Sequence, residues 1–100
     1  SVRHQWDMTK SELIALMAAR SSALKVADVE RIVEVILTTM TDALAEGRRI
    51  ELRGFGSFMV KERAARTARN PRTGTSVTVP SRRSLSFKAG KQLRDRLNEQ

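Results

Sequence analysis

The sequence predicts an α+β domain, and three observations carry the prediction. Apolar residues recur at spacings of three and four up to about residue 46, alternate with polar ones from residue 49 onward, and return to a spacing of four near the end of the chain. One hundred residues and 11.2 kDa suit a single domain with a modest core. Hydrophobic residues make up 40% of the chain, so the formal net charge of +8 belongs to a folded basic domain, not to a disordered polycation.

The first helix starts at a capping box. In Thr9-Lys10-Ser11-Glu12 the threonine hydroxyl takes an orphan amide and the glutamate three residues on reaches back. Met8 and Leu13 then stand where a hydrophobic staple needs them, so the domain is expected from Met8 to residue 100. Ser1 to Asp7 read as a flexible extension in which Trp6 is exposed and has no assigned role. This helix should run to about Arg20 with Leu13, Ile14, Leu16 and Met17 inward, until Ser21-Ser22 breaks it.

From about Lys25 to Glu46, Val26, Val29, Val33, Ile36, Met40, Ala43 and Leu44 form a helical stripe that Ile32 and Leu37 widen. The valines and isoleucines would also suit a strand, but the segment is too long for one, and Gly47 supplies the helical stop. A stripe this wide and long exceeds what one short helix covers. A second copy of the chain should complete the core, which predicts a dimer.

Ile50 and Leu52 alternate with Arg49, Glu51 and Arg53 as a half-buried strand, and Gly54-Phe55-Gly56 turns the chain. A second strand from about Ser57, with Phe58 and Val60 on one side, should continue through Glu62 to Thr67. The loop Arg69-Asn70-Pro71-Arg72-Thr73-Gly74 reverses direction, and a strand from Ser76 returns past Val77 and Val79 to Leu85 and Phe87. Phe58 and Phe87 are expected in the core. The outer half of this hairpin, Ala64 to Val77, has little to bury and should be a mobile ribbon. Lys91 to Asn98, with Leu93 and Leu97 four apart, forms a short closing helix.

Composition excludes much chemistry. There is no Cys, so thiolate zinc sites, disulfides and Cys nucleophiles are not available, and the one His, His4, is a terminal residue badly placed for a Ser-His-Asp triad. Asp42, Glu51 and Asp95 fall on separate elements without a His or Cys partner, so no enzyme is expected, and no metal, cofactor or small-molecule substrate. The longest apolar run, Leu13 to Ala19, has seven residues and Glu12 before it, whereas a spanning helix needs about 20; no membrane segment is expected, and the chain reads as cytoplasmic.

Charge is unevenly placed. Residues 1–60 carry eight basic and eight acidic side chains, residues 61–83 seven and one, and residues 84–100 four and two. Six of the eight net charges thus fall on the arm, from Lys61, Arg63, Arg66, Arg69, Arg72, Arg82 and Arg83 against Glu62. A solubilising surface mixes signs, and this one does not. Such a ribbon suits a polyanion, because each cation that neutralises a phosphate releases a counterion. Pro71 at the tip is either a turn former or an apolar wedge between base pairs, and composition alone leaves both open.

The motif Gly54-Phe55-Gly56-Ser57-Phe58, then Arg63, Arg66 and Arg69-Asn70-Pro71-Arg72-Thr73-Gly74, resembles at matching spacing the signature of the bacterial HU and integration host factor family. Thr9 to Ile14 and Phe87-Lys88-Ala89-Gly90-Lys91 extend the resemblance to both ends of the domain. It implies an intertwined dimer of HU-like fold: two N-terminal helices, a three-stranded antiparallel sheet with a long β-ribbon arm over about residues 61–83, and a short C-terminal helix. It also implies an architectural protein of the nucleoid that bends double-stranded DNA by minor-groove arms, with Pro71 intercalating, and so assists recombination, replication and transcription.

On the arm, the resemblance assigns DNA contacts to Asn70, Thr73 and Gly74 alongside Pro71 and the seven cations, and on the body to Lys88. Lys10 and Lys91, in the first turns of their helices, are placed for further phosphate contacts. Arg49-Ile50-Glu51-Leu52-Arg53-Gly54 looks like the beta chain of integration host factor, which gives Glu51 and Arg53 a part in reading a site; a plain charge pair is the other reading of Glu51. The dimer is then either a homodimer or a pair with a related alpha-type chain. Among departures from the family pattern, Ala68 stands where Gly is usual. Two other readings stay open: HU-like compaction without site preference, and an RNA-binding or ribosome-associated ribbon, which the scarcity of aromatic platforms disfavours.

Overall fold

The computed structural model describes residues 7–99, so Trp6 and the segment before it lie outside the described residues. Its elements are α1 (Lys10–Ala19), α2 (Val26–Ala45), β1 (Ile50–Leu52), β2 (Gly56–Arg63), β3 (Arg66–Arg69), β4 (Ser76–Val79), β5 (Arg82–Ala89) and α3 (Lys91–Leu97). They divide into two compact units, the division falling within α2 after Thr41.

In the first unit, the capping box forms as expected. The Glu12 amide donates to Thr9 Oγ1 at 3.2 Å and the Thr9 amide to Glu12 Oε1 at 3.3 Å. At the start of α2 the Lys25 amide donates to Asp28 Oδ2 at 3.2 Å, placing an acid where the helix dipole favours one. Ile14, Val29 and Val33 are buried, with Met17 and Ala18 packed on them. The inward residues expected on α1 are only partly covered, since Leu13 and Leu16 remain exposed along with Met8. On α2, Val26, Ile32, Ile36 and Leu37 are exposed too. These residues match the stripe in the sequence but lack a covering layer in one chain.

In the second unit, α2 ends on a Schellman motif: the Gly47 amide donates to the Leu44 carbonyl at 2.9 Å and the Arg48 amide to the Ala43 carbonyl at 3.0 Å. A three-stranded antiparallel sheet follows in the order β1-β2-β5, with Ile50 opposite Phe58 and Phe58 opposite Phe87. Alternation puts Ile50, Leu52, Phe58, Val60, Leu85 and Phe87 on one face. Phe58 and Phe87 stand 4.8 Å apart by ring centroids, and Phe55 joins them at 5.5 Å from Phe87. Hydrophobicity predicts both rings in the core, yet Phe87 is 43% exposed and Phe58 half-buried, because a single chain does not fully cover this face.

Gly56 is required by close approach: a Cβ there would lie 2.5 Å from the Lys88 carbonyl oxygen and 2.6 Å from Phe87 Cζ. Gly56→Ala is therefore expected to push the backbone of β2 off β5 and lower stability by about 1–3 kcal/mol. A urea midpoint equal to that of wild type would contradict this packing.

One expectation needs correction. The second strand does not run unbroken to Thr67; it stops at Arg63, and β3 begins at Arg66. Opposite this gap the returning strand breaks between Val79 and Arg82, where Pro80 has no N–H to give to a ladder. Two residues drop out of each side, so the register continues unchanged: Arg63 pairs with Arg82, and Arg66 with Val79. The arm is thus a separate two-stranded ribbon, β3-β4.

Candidate nucleic-acid interface

The sheet's second face is polar and cationic. Alternation places Glu51, Ser57 and Lys88 in one cross-strand row, then Met59 and Ser86, Lys61 and Ser84, and finally Arg63 and Arg82. Arg63 and Arg82 are direct cross-strand partners, an arrangement that destabilises a sheet on its own. They also line one concavity with Arg66, Val79 and Pro80 at the root of the arm, so three arginines border a single hollow. Among the described residues no acid answers them. The one acid of the cationic stretch, Glu62, pairs with Arg83 on the opposite face.

Along the arm, Arg66 shares a face with Ala68, Val77 and Val79, and Arg69 with Thr67, Ser76 and Thr78. Only Ala68 and Val79 of these eight residues are even half-buried. Lys61, Arg63, Arg66, Arg69, Arg72, Arg82 and Lys88 make no ion pair with another described residue, so their charges are all available.

The tip is a closed, polar-bonded loop that holds Pro71 outward. The Asn70 amide donates to the Thr75 carbonyl and the Gly74 amide to the Asn70 carbonyl, both at 2.8 Å. The Arg72 amide donates to Asn70 Oδ1 at 2.8 Å, and the Thr75 amide to Thr73 Oγ1 at 3.2 Å. None of these bonds needs a donor at residue 71, which is why Pro fits there without penalty. Gly74 adopts φ +75°, with open space where a Cβ would stand, so backbone conformation alone selects glycine. Pro71 is exposed.

Four of the expected contact residues already have partners. Glu51 Oε1 accepts from Arg49 Nη1 at 2.7 Å, and Arg49 Nη2 donates to Ser57 Oγ at 3.2 Å, so the charge-pair reading of Glu51 is realised while Arg53, in the turn, stays unpaired among the described residues. Lys10 pairs with Glu34 in the first unit. Lys91 pairs with Asp95 at 2.7 Å, and Arg83 is held by the end of α2. Pro80 is the residue that sequence reasoning misses; a proline between the alternating Val77 and Val79 and the returning Leu85 and Phe87 is the available signal.

Comparison with known proteins now adds to this geometry. Residues 8–98 match the model of the family described as bacterial DNA-binding protein. The chain belongs to this family. It is the HU and integration host factor family, made up of architectural DNA-binding proteins and not enzymes. Integration host factor subunit beta of Marinobacter nauticus is 51% identical over 92 residues, covering 92% of this chain and 94% of that one. The subunit of the same name from Saccharophagus degradans is 53% identical over the same spans. An Anabaena HU–DNA cocrystal structure superposes with a TM-score of 0.77 at 34% identity, over 91% of this chain and 98% of that one. HU from Thermotoga maritima gives 0.63 at 31% identity, covering 91% and 100%. Integration host factor beta subunits are thus among this chain's relatives, the kind of protein that Arg49 to Gly54 resemble. No helix among its described residues is long and apolar enough to cross a membrane.

Proposed function

We propose that residues 8–100 act as one DNA-binding domain that bends duplex DNA, with β3-β4 in the minor groove and Pro71 inserted between base pairs. The observation that carries this reading is the Arg63–Arg82 pair, with Arg66 beside it and no ion pair to any acid among the described residues, the nearby Glu62 being paired with Arg83. Like charges placed opposite each other are tolerated where a polyanion completes the site, and phosphates are the polyanion a two-stranded ribbon can reach in a groove. The HU relative in its DNA cocrystal supports the same partner.

The remaining assignments follow from that pose. Arg53, Lys61, Lys88, Arg69 and Arg72 neutralise phosphates, Asn70, Thr73 and Gly74 set the tip, and Glu51 orients Arg49 beside the duplex. Lys10 and Lys91 contact phosphates once their carboxylate partners exchange for DNA. The working unit is a dimer with a second copy or a related alpha-type chain, a reading that the relatives' designation as beta subunits supports. The protein resides in the nucleoid, where bent DNA serves recombination, replication and transcription.

The test separates bending from binding. Pro71→Ala keeps every cation, so affinity for nicked or pre-kinked DNA should hold. Affinity for intact duplex should fall by a few kcal/mol at most, since the unstacked base step no longer receives an inserted group. Equal weakening on kinked and straight duplexes would show that Pro71 only shapes the turn.

A further inference from the structure

Seven cations distinguish the arm in the sequence, but the structure separates one of them from the rest. Arg82 and Arg83 are neighbours in β5, so alternation sends their side chains to opposite faces: Arg82 to the cationic face with Arg63, Arg83 to the other with Glu62. There the Arg83 guanidinium meets two groups at once. Its Nη2 donates to the carbonyls of Leu44 at 3.3 Å and Ala45 at 3.1 Å, and its Nε stands 3.5 Å from Glu62 Oε1. The carbonyls are those of the last turn of α2, where a helix leaves acceptors without intrahelical donors and presents the negative end of its dipole.

The position of this contact in the ladder matters. Glu62 and Arg83 are the pair next to Arg63 and Arg82, which close the three-stranded sheet before the break at Ala64-Ala65 and Pro80-Ser81. An edge next to a break frays unless something outside the ladder holds it. Arg83 is tied to an element 38 residues away in sequence, and through Glu62 it holds both strands.

We propose that Arg83 is a positioning residue: it fastens the root of the arm to the C-terminus of α2, fixes where the sheet ends and the arm begins to swing, and does not contact DNA. This rests on the proposed function for its consequence in bending, but not for the fastening itself. With Arg83 in place, the arm pivots about the two short gaps alone. Without it, the Glu62–Arg83 and Arg63–Arg82 pairs open as well, the pivot moves toward the body, and the arm's direction spreads.

The experiment uses the full chain with Arg83→Gln, Arg83→Lys and, for contrast, Arg82→Gln. In the free protein, amide hydrogen exchange at residues 61–63 and 82–84 should quicken by about tenfold in Arg83→Gln. It should return close to wild type in Arg83→Lys, because an ammonium also suits a helix C-terminus. On duplex DNA, Arg83→Gln should keep the wild-type slope of log K against log salt while widening the distribution of bend angles seen by single-molecule energy transfer. Arg82→Gln should lower the slope by about 0.9 for each phosphate left without its cation, and exchange should stay unchanged. A slope lowered by Arg83→Gln, or exchange that does not respond to it, overturns the proposal. If wild type bound no duplex, the proposed function would fall, and exchange in the free protein would still decide whether Arg83 fastens the arm.

Discussion

Phe87→Asp should leave the chain without a cooperative folding transition. Among the described residues only Ile14, Val29 and Val33 are buried hydrophobics, too few to hold a chain of this length against its conformational entropy. The apolar residues that a larger core would use are present but uncovered: Ile36 and Leu37 on α2, and Leu52, Leu85 and Phe87 on the sheet. A second chain covering them, as the proposed dimer requires, would supply the missing layer and make folding and association one event.

Phe87 sits in the aromatic cluster with Phe55 and Phe58 on the uncovered face, and once a second chain closes over that face a carboxylate there would be buried without a partner at a cost of several kcal/mol. That is a large part of the roughly 5–15 kcal/mol that stabilises a typical domain. Wild type should sediment as a dimer at micromolar concentration with a melting midpoint that rises with concentration, and Phe87→Leu should behave similarly. A Phe87→Asp monomer that melts cooperatively at the wild-type midpoint would show that one chain is sufficient.

Replacing Arg63, Arg66 and Arg69 together by Ala should flatten the salt dependence of DNA binding. Counterion release adds about 0.9 to the slope per neutralised phosphate, so three fewer such phosphates lower it by about 2.7, equivalent to roughly 40-fold in affinity over a fourfold change in salt. Two identical arms would double the change in slope. The fold should survive, because all three side chains are exposed and unpaired among the described residues. A triple variant with the wild-type slope, measured by competition over a salt series, would mean that another surface meets the phosphates.

The fold is legible in the sequence where a residue's role is local. Thr9 and Glu12 announce a helix start because both capping bonds span three residues, and the alternation of Ile50 to Arg53 announces a strand because pleating is local. The arm's interruption is only half legible. Pro80 is visible in the sequence, but that it faces Ala64-Ala65 depends on a register set by the turn at Asn70 to Thr75. The burial of Phe87 is overestimated for a different reason: hydrophobicity shows that a residue seeks a partner without showing which chain supplies it. Arg83 is the hardest to place. Its charge resembles that of its six neighbours, and only pairing across the sheet reveals that it turns toward the end of α2.

The central claim, that this chain bends DNA with its cationic ribbon, is tested most directly by energy transfer between dyes at the two ends of a short duplex titrated with wild-type protein. Transfer should rise as the complex saturates, because the arms draw the ends together, and it should rise along the same isotherm as binding measured by anisotropy. Saturable binding with the end-to-end distance of free duplex would contradict that claim.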